Sequence, residues 1–153
     1  MLSVCVLVVR SGEDDAALVD LSVSSAELSC GVPVLECGPE DVMSCVKEAE
    51  TSVVHVVPAG TIVMPDFHRS MLTTLEYQGV DYTVCRCLMV GEKAEVVEAA
   101  SDRFTPAQMV MRRWAFMEAD TGSGWRRSAE RVKTEYHGVE VPHVLCVGLR
   151  MNA

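Results

Sequence analysis

The stretch from Val4 to Val9 constrains the fold most, because six consecutive residues there carry no charged or amide side chain. A strand with one wet face alternates apolar and polar residues. An uninterrupted apolar run of this length predicts a strand buried on both faces. Such a strand needs helices above and below it, which is the layering of an α/β sheet. The rest of the chain supplies the alternation. Leu18, Leu21, Ser25 and Leu28 mark one face of a first helix, with acids at Glu13–Asp15 where its dipole favours them and Gly31 as its stop. Val32–Glu36 is a short second strand, and Gly38-Pro39 opens a second helix bearing Val42, Cys45, Val46 and Ala49. Ser52–Val57 is a third strand, followed by a turn at Pro58-Ala-Gly60. Pro65-Asp66 opens a third helix, with Phe67, Met71, Leu72 and Leu75 on its buried face, and Asp81–Val90 is again a strand. Gly91–Arg103 reads as a loop with a short helix or strand. Pro106–Phe116 reads as a strand running into a helix, Trp125–Tyr136 as a helix and Val139–Val147 as a strand. The expectation is an α/β fold over one domain, 1–153. Its sheet is mainly parallel, with helices on both faces and Ser3–Val9 central.

Composition narrows the setting. A chain of 153 residues can bury roughly 70% of its unfolded surface, so it needs no covalent staple. No apolar run approaches the roughly 20 residues that span a bilayer. The apolar start lacks a basic region before it and a small-residue cleavage site after it, so a cytoplasmic protein is expected. Cys5, Cys30, Cys37, Cys45, Cys85, Cys87 and Cys146 are odd in number and sit mostly among Val, Leu and Met, which suits reduced, buried thiols. Cys85 and Cys87 share one strand face but lack a second pair at zinc spacing, so core packing is the reading preferred.

Net charge is −9, which argues against general nucleic-acid binding. The charge is uneven. Residues 103–133 hold seven basic and three acidic side chains, a local +4 against −13 elsewhere. Arg126, Arg127 and Arg131, together with Trp125, are residue types that anchor interfaces, so this segment is the expected contact surface for a protein partner or for self-assembly. The alternatives are a solvated helix face, or an arginine anion site at a diphosphate. His55 reads as a core histidine and His68 as a solvated residue on the outer side of the third helix. His137 and His143 show no metal-ligand spacing.

Four segments, in order, resemble the family-2 glycosyltransferases with the GT-A fold. Val34-Leu-Glu-Cys-Gly-Pro-Glu-Asp41 resembles the acidic second-strand motif. Val53–Thr61 followed by Met64-Pro-Asp-Phe67 resembles the strand, Asp-x-Asp and Pro-Asp-Phe helix segment. Val110-Met-Arg-Arg-Trp-Ala-Phe116 resembles the Arg-Arg-x-x-Phe segment. Gly124-Trp125, Arg131 and Val141-Pro-His-Val-Leu145 resemble the family's ending. The resemblance implies that Glu36 and Asp41 contact the uridine end of a nucleotide. Arg113 is a third candidate for a residual nucleotide site. Both acids also have an ordinary reading, one at a strand end and one in a first helical turn.

The departures from the family concern its chemistry. Where the family holds a divalent cation with carboxylates, this chain has Pro58 and Gly60. Where it holds its catalytic base, this chain has Ser123 and Gly124. The sequence therefore predicts no metal, no cofactor and no catalytic residue. It describes a degenerate, non-catalytic binding or structural subunit with weak nucleotide-sugar binding. The alternative is a metal-independent transferase using Glu36, Asp41 and Arg113. Small relatives of this kind resemble proteins of tailed phages, which adds a virus particle as a second setting.

Overall fold

The computed structural model describes residues 2–10, 12, 16–91, 93–98 and 105–149. The expected helix-start acids Glu13–Asp15, and Arg103 of the basic segment, lie outside them. The apolar runs form β1 (Val4–Val9), β2 (Leu35–Cys37), β3 (Val53–Pro58), β4 (Thr61–Val63), β5 (Tyr82–Val90), β6 (Val96–Glu98), β7 (Met109–Arg112) and β8 (Gly138–Leu149). The helices are α1 (Ala16–Cys30), α2 (Val42–Glu48), α3 (Phe67–Gln78), α4 (Arg113–Glu118) and α5 (Trp125–Glu135). The sheet runs β2-β1-β3-β7-β5-β8-β4, with β6 added to β5.

The sheet is mixed, and its long ladders are parallel. β1 pairs six residues with β3, and β5 pairs eight with β8, whereas each antiparallel ladder pairs two or three. β1 lies between β2 and β3, with Val6, Leu7, Val8 and Val9 buried. Its alternate side chains feed two cores. Val6 and Val8 join Val19 and Ala26 of α1 and Phe67, Met71 and Leu75 of α3. Leu7 and Val9 join Val42 and Val46 of α2, Phe116 of α4 and Trp125, Ala129 and Val132 of α5. The helices fall on opposite faces because the chain leaves β1 towards β2 and then returns past it to β3.

The inner face of α1 departs from expectation. Leu21 and Leu28 are exposed, and the buried residues are Val19, Ser22 and Ala26. The serines win this face because they satisfy backbone donors that would otherwise be orphaned. Ser22 Oγ accepts from Gly60 N at 2.9 Å, Ser25 Oγ from Val63 N at 3.2 Å, and Ser29 Oγ from His68 N at 3.0 Å. A leucine stripe there would bury these N–H groups without partners.

His68 is a second correction, since it is buried rather than solvated. It closes a chain of hydrogen bonds through the core. His55 Nε2 lies 2.8 Å from Ala107 O, His55 Nδ1 lies 2.8 Å from His68 Nε2, and His68 Nδ1 lies 2.7 Å from Ser29 Oγ. The carbonyl can only accept, so His55 Nε2 carries the proton. Neutral His55 then accepts at Nδ1, His68 donates from Nε2, and the Ser29 hydroxyl donates to His68 Nδ1. Every nitrogen is satisfied with both rings neutral. Burial lowers the His55 pKa to about 4. Burial, and secondarily the neighbouring His55, lowers that of His68 to about 2. The Phe67 ring stacks on His55 at 4.4 Å and seals the pair.

Cys37, Cys85, Cys87 and Cys146 are buried thiols, while Cys5, Cys30 and Cys45 are partly accessible. Burial, with Cys45 beside it, pushes the Cys37 thiol up to about 11, which leaves little reactive thiolate at neutral pH. Titration of the native protein with a thiol reagent should give at most three fast-reacting groups, the other four appearing only on unfolding.

Candidate functional site

The parallel register Leu7↔Leu35, Val8↔Glu36, Val9↔Cys37 ends β1 and β2 at the same level, and Arg10 N extends the ladder to Cys37 O at 3.0 Å. Beyond these carboxyl ends lies a crevice of about 770 Å³, lined by Arg10, Asp20, Glu36, Gly38, Glu40 and Asp41 among others. Open α/β sheets bind ligands at this place, next to the strand where the winding reverses.

Local chemistry shapes the wall. Gly38 leads into the turn Pro39–Asp41, closed by Asp41 N to Gly38 O at 3.1 Å. A Cβ on Gly38 would come within 2.5 Å of Glu40 Oε1, so glycine there lets the Glu40 side chain fold over the turn. Asp41 stands at the N-cap of α2 but makes no side-chain capping hydrogen bond. Its ordinary role as a helix cap is therefore unused. The structure brings Glu36 and Asp41 to one crevice and adds Arg10, Asp20 and Glu40. Arg10 was legible only as a basic residue directly after a buried strand.

Arg113 does not join them. It lies at the far end of β3, where its backbone N bonds Ser52 O at 2.8 Å. Its guanidinium donates to Val46 O at 2.8 Å and Lys47 O at 2.6 Å, closing the carbonyls at the end of α2. Arg113 is thus a capping residue, and the expectation that it faces the nucleotide is corrected.

The turn after β3 is fully engaged. Ala59 N donates to Val9 O at 2.9 Å, and Gly60 N to Ser22 Oγ at 2.9 Å. Gly60 O accepts from Leu149 N at 2.8 Å. Gly60 adopts φ +95°, a region that side-chain-bearing residues avoid. Pro58, Ala59 and Gly60 offer no side-chain ligand for a cation. Among the described residues, no group of three or more His, Cys, Asp or Glu is placed to hold a metal ion. Ser123 and Gly124 form an exposed turn before α5, with Thr121 Oγ1 donating to Ser123 Oγ at 3.1 Å.

The basic segment is largely tied down. Trp125 is 5% accessible and belongs to the core, so it is no surface anchor, while Trp114 is 51% accessible. Trp125 is buried because it opens α5 on the face that covers the sheet. Arg131 donates to Ala119 O at 2.9 Å and pairs with Glu135 at 3.0 Å. Arg126 lies over the Trp125 ring at 4.7 Å, and Arg127 is exposed.

The fold is GT-A-like, a mixed α/β sheet with helices on both faces. Among solved structures, the chain is similar to S. aureus TarS, residues 1–349, in complex with UDP. The TM-score is 0.71 at 9% identity, over 97% of this chain and 61% of that one. It is also similar to the bifunctional IspDF from Campylobacter jejuni, with TM-score 0.60 and 7% identity over 92% of this chain and 49% of that one. The chain thus spans less than two thirds of either neighbour. No family profile and no curated protein sequence matches it. Among the described residues, no helix is long and apolar enough to cross a membrane.

Proposed function

We propose that this chain is a non-catalytic GT-A-like binding domain that holds the nucleoside end of a ligand in the crevice after β1 and β2. One observation carries the reading. Glu36, Asp41 and Arg10 line one crevice at the carboxyl ends of the strands, while the segment after β3 holds Pro58 and Gly60. Carboxylates accept hydrogen bonds from ribose hydroxyls and base N–H groups, and a guanidinium donates to base carbonyls. A neighbour solved with UDP in a similar fold supports the choice of a uracil nucleotide for the first test. The rival reading, a metal-independent transferase, loses the arginine assigned to it, because Arg113 caps α2. A virus particle is a setting that rests on the family resemblance alone.

Thermal unfolding with uracil nucleosides and nucleotides, with and without manganese, tests this. A rise of a few degrees is expected, equal in both conditions, and absent in the Glu36→Ala, Asp41→Ala double variant. A rise that requires manganese, or sugar transfer dependent on it, would overturn the reading.

With Trp125 buried and Arg131 engaged, Arg126 and Arg127 are the residues left to test as a contact surface. If the domain works beside a partner or a second copy, Arg126→Glu with Arg127→Glu should weaken association and its salt dependence. Stability should change by less than about 1 kcal/mol. Light scattering of the native chain and the variant at two salt concentrations reads the difference.

A further inference from the structure

We propose a second binding site, for a phosphate group, in the groove between α3 and β8. It shares no residue with the crevice after β1 and β2. The groove measures about 410 Å³, a size that suits a small molecule. Arg69, Ser70 and Thr73 of α3 line one side, and residues 140–143 of β8 line the other.

Two independent features set this groove apart. The first is a break in the β5–β8 ladder. Val84 pairs with Glu140 and Arg86 with Val144, so β8 advances four residues where β5 advances two. Val141 is anchored in the core and Val144 rejoins the ladder, which leaves Pro142 and His143 exposed between them. Proline suits the break because it has no N–H to leave unpaired. Bulges of this kind re-aim side chains beside binding and active sites. Here the break makes His143 a wall of the groove, opposite α3.

The second feature is an unpaired cation. Arg86, Arg112, Arg113 and Arg131 each donate to a carboxylate or a carbonyl. Among the described residues, Arg69 has no such partner. Thr73 lies one helical turn on, on the same side of α3, and is exposed. The carboxylate of Glu140 is already met by Arg86 at 3.3 Å. The groove therefore offers a guanidinium, an imidazole and hydroxyls, a donor set that fits a tetrahedral oxyanion. The guanidinium fork can meet two phosphate oxygens at once. The net charge of −9 opposes an anion from afar, but physiological salt screens such fields beyond about 8 Å. The groups in contact decide.

Amide spectra of the nitrogen-labelled full chain, titrated at constant ionic strength with inorganic phosphate and with glycerol phosphate, test this. Saturable shifts are expected at residues 69–74 and at 140, 141, 143 and 144, with a Kd of about 1 mM or tighter for the better ligand. Tighter binding of glycerol phosphate identifies an esterified ligand, and equal or weaker binding identifies the free ion. Arg69→Gln with His143→Gln should weaken binding about tenfold or more and leave the amides of Val53–Val57 unchanged. Shifts that fail to saturate by about 10 mM, shifts centred elsewhere, or a double variant that binds as well as the parent would each overturn the proposal.

Discussion

Acidifying the protein from pH 6.5 to pH 5 should lower its stability by about 3 kcal/mol. The source is the buried pair His55–His68. Both rings stay neutral in the folded state, with pKa values lowered to about 4 and about 2, while in the unfolded chain each titrates near 6.5. Between those values the unfolded chain binds protons that the folded chain refuses. Stability therefore rises with pH, and the contribution levels off about one unit above pH 6.5. It is lost on the way down at up to about 2.7 kcal/mol per pH unit for two protons. The geometry explains the refusal. A first added proton would place a charge on rings that are buried, and a second would set N–H against N–H between them. Urea unfolding at a series of pH values measures the slope, and carboxylates titrate mostly below this window. A flat profile from pH 6.5 to 5 would contradict the assignment.

Phe67→Ala should cost about 3–5 kcal/mol, a large share of the 5–15 kcal/mol typical of a folded domain. Phe67 is fully buried between α3 and the sheet, in the core that joins α1, β1 and β3. Its removal takes away apolar contact and leaves a cavity against the His55 ring, 4.4 Å away. The substitution has a second signature. Water admitted to that cavity lowers the desolvation that keeps His55 neutral, so its pKa rises towards the ordinary value. The variant should be weaker at neutral pH yet show a shallower acid slope than the parent. Denaturant titrations of both proteins at pH 7 and pH 5.5 separate the two effects.

The parallel core was legible because valine and leucine runs admit few other readings. Val4–Val9 announced a strand buried on both faces and Ser52–Val57 announced a third strand, and they lie side by side. Glu36 and Asp41 were legible too, because their spacing around Gly38-Pro39 carried the family likeness. The serines of α1 were not. Serine reads as polar, and only the fold shows that positions 22, 25 and 29 face the orphan N–H groups of the segment from Gly60 to His68. His68 was misread for the same reason, since its two nitrogens find partners from α1 and β3 that lie far away in sequence. Arg113 and Trp125 followed the family pattern in sequence, but local packing claimed them. One closes the carbonyls of α2 and the other fills the core beneath α5.

The strand order has a consequence for how the chain is made. β8 lies between β5 and β4, both of which precede it in synthesis, and β8 is the strand to which β4 is paired. Until β8 emerges from the ribosome, β5 presents an open edge along the eight residues it will pair with β8, and β4 has no strand beside it. An unfilled slot of this length invites a strand from another chain. The nascent protein is thus most exposed to mispairing just before β8 arrives. A chaperone that shields the β5 edge during that interval would raise its yield more than one acting on the finished fold.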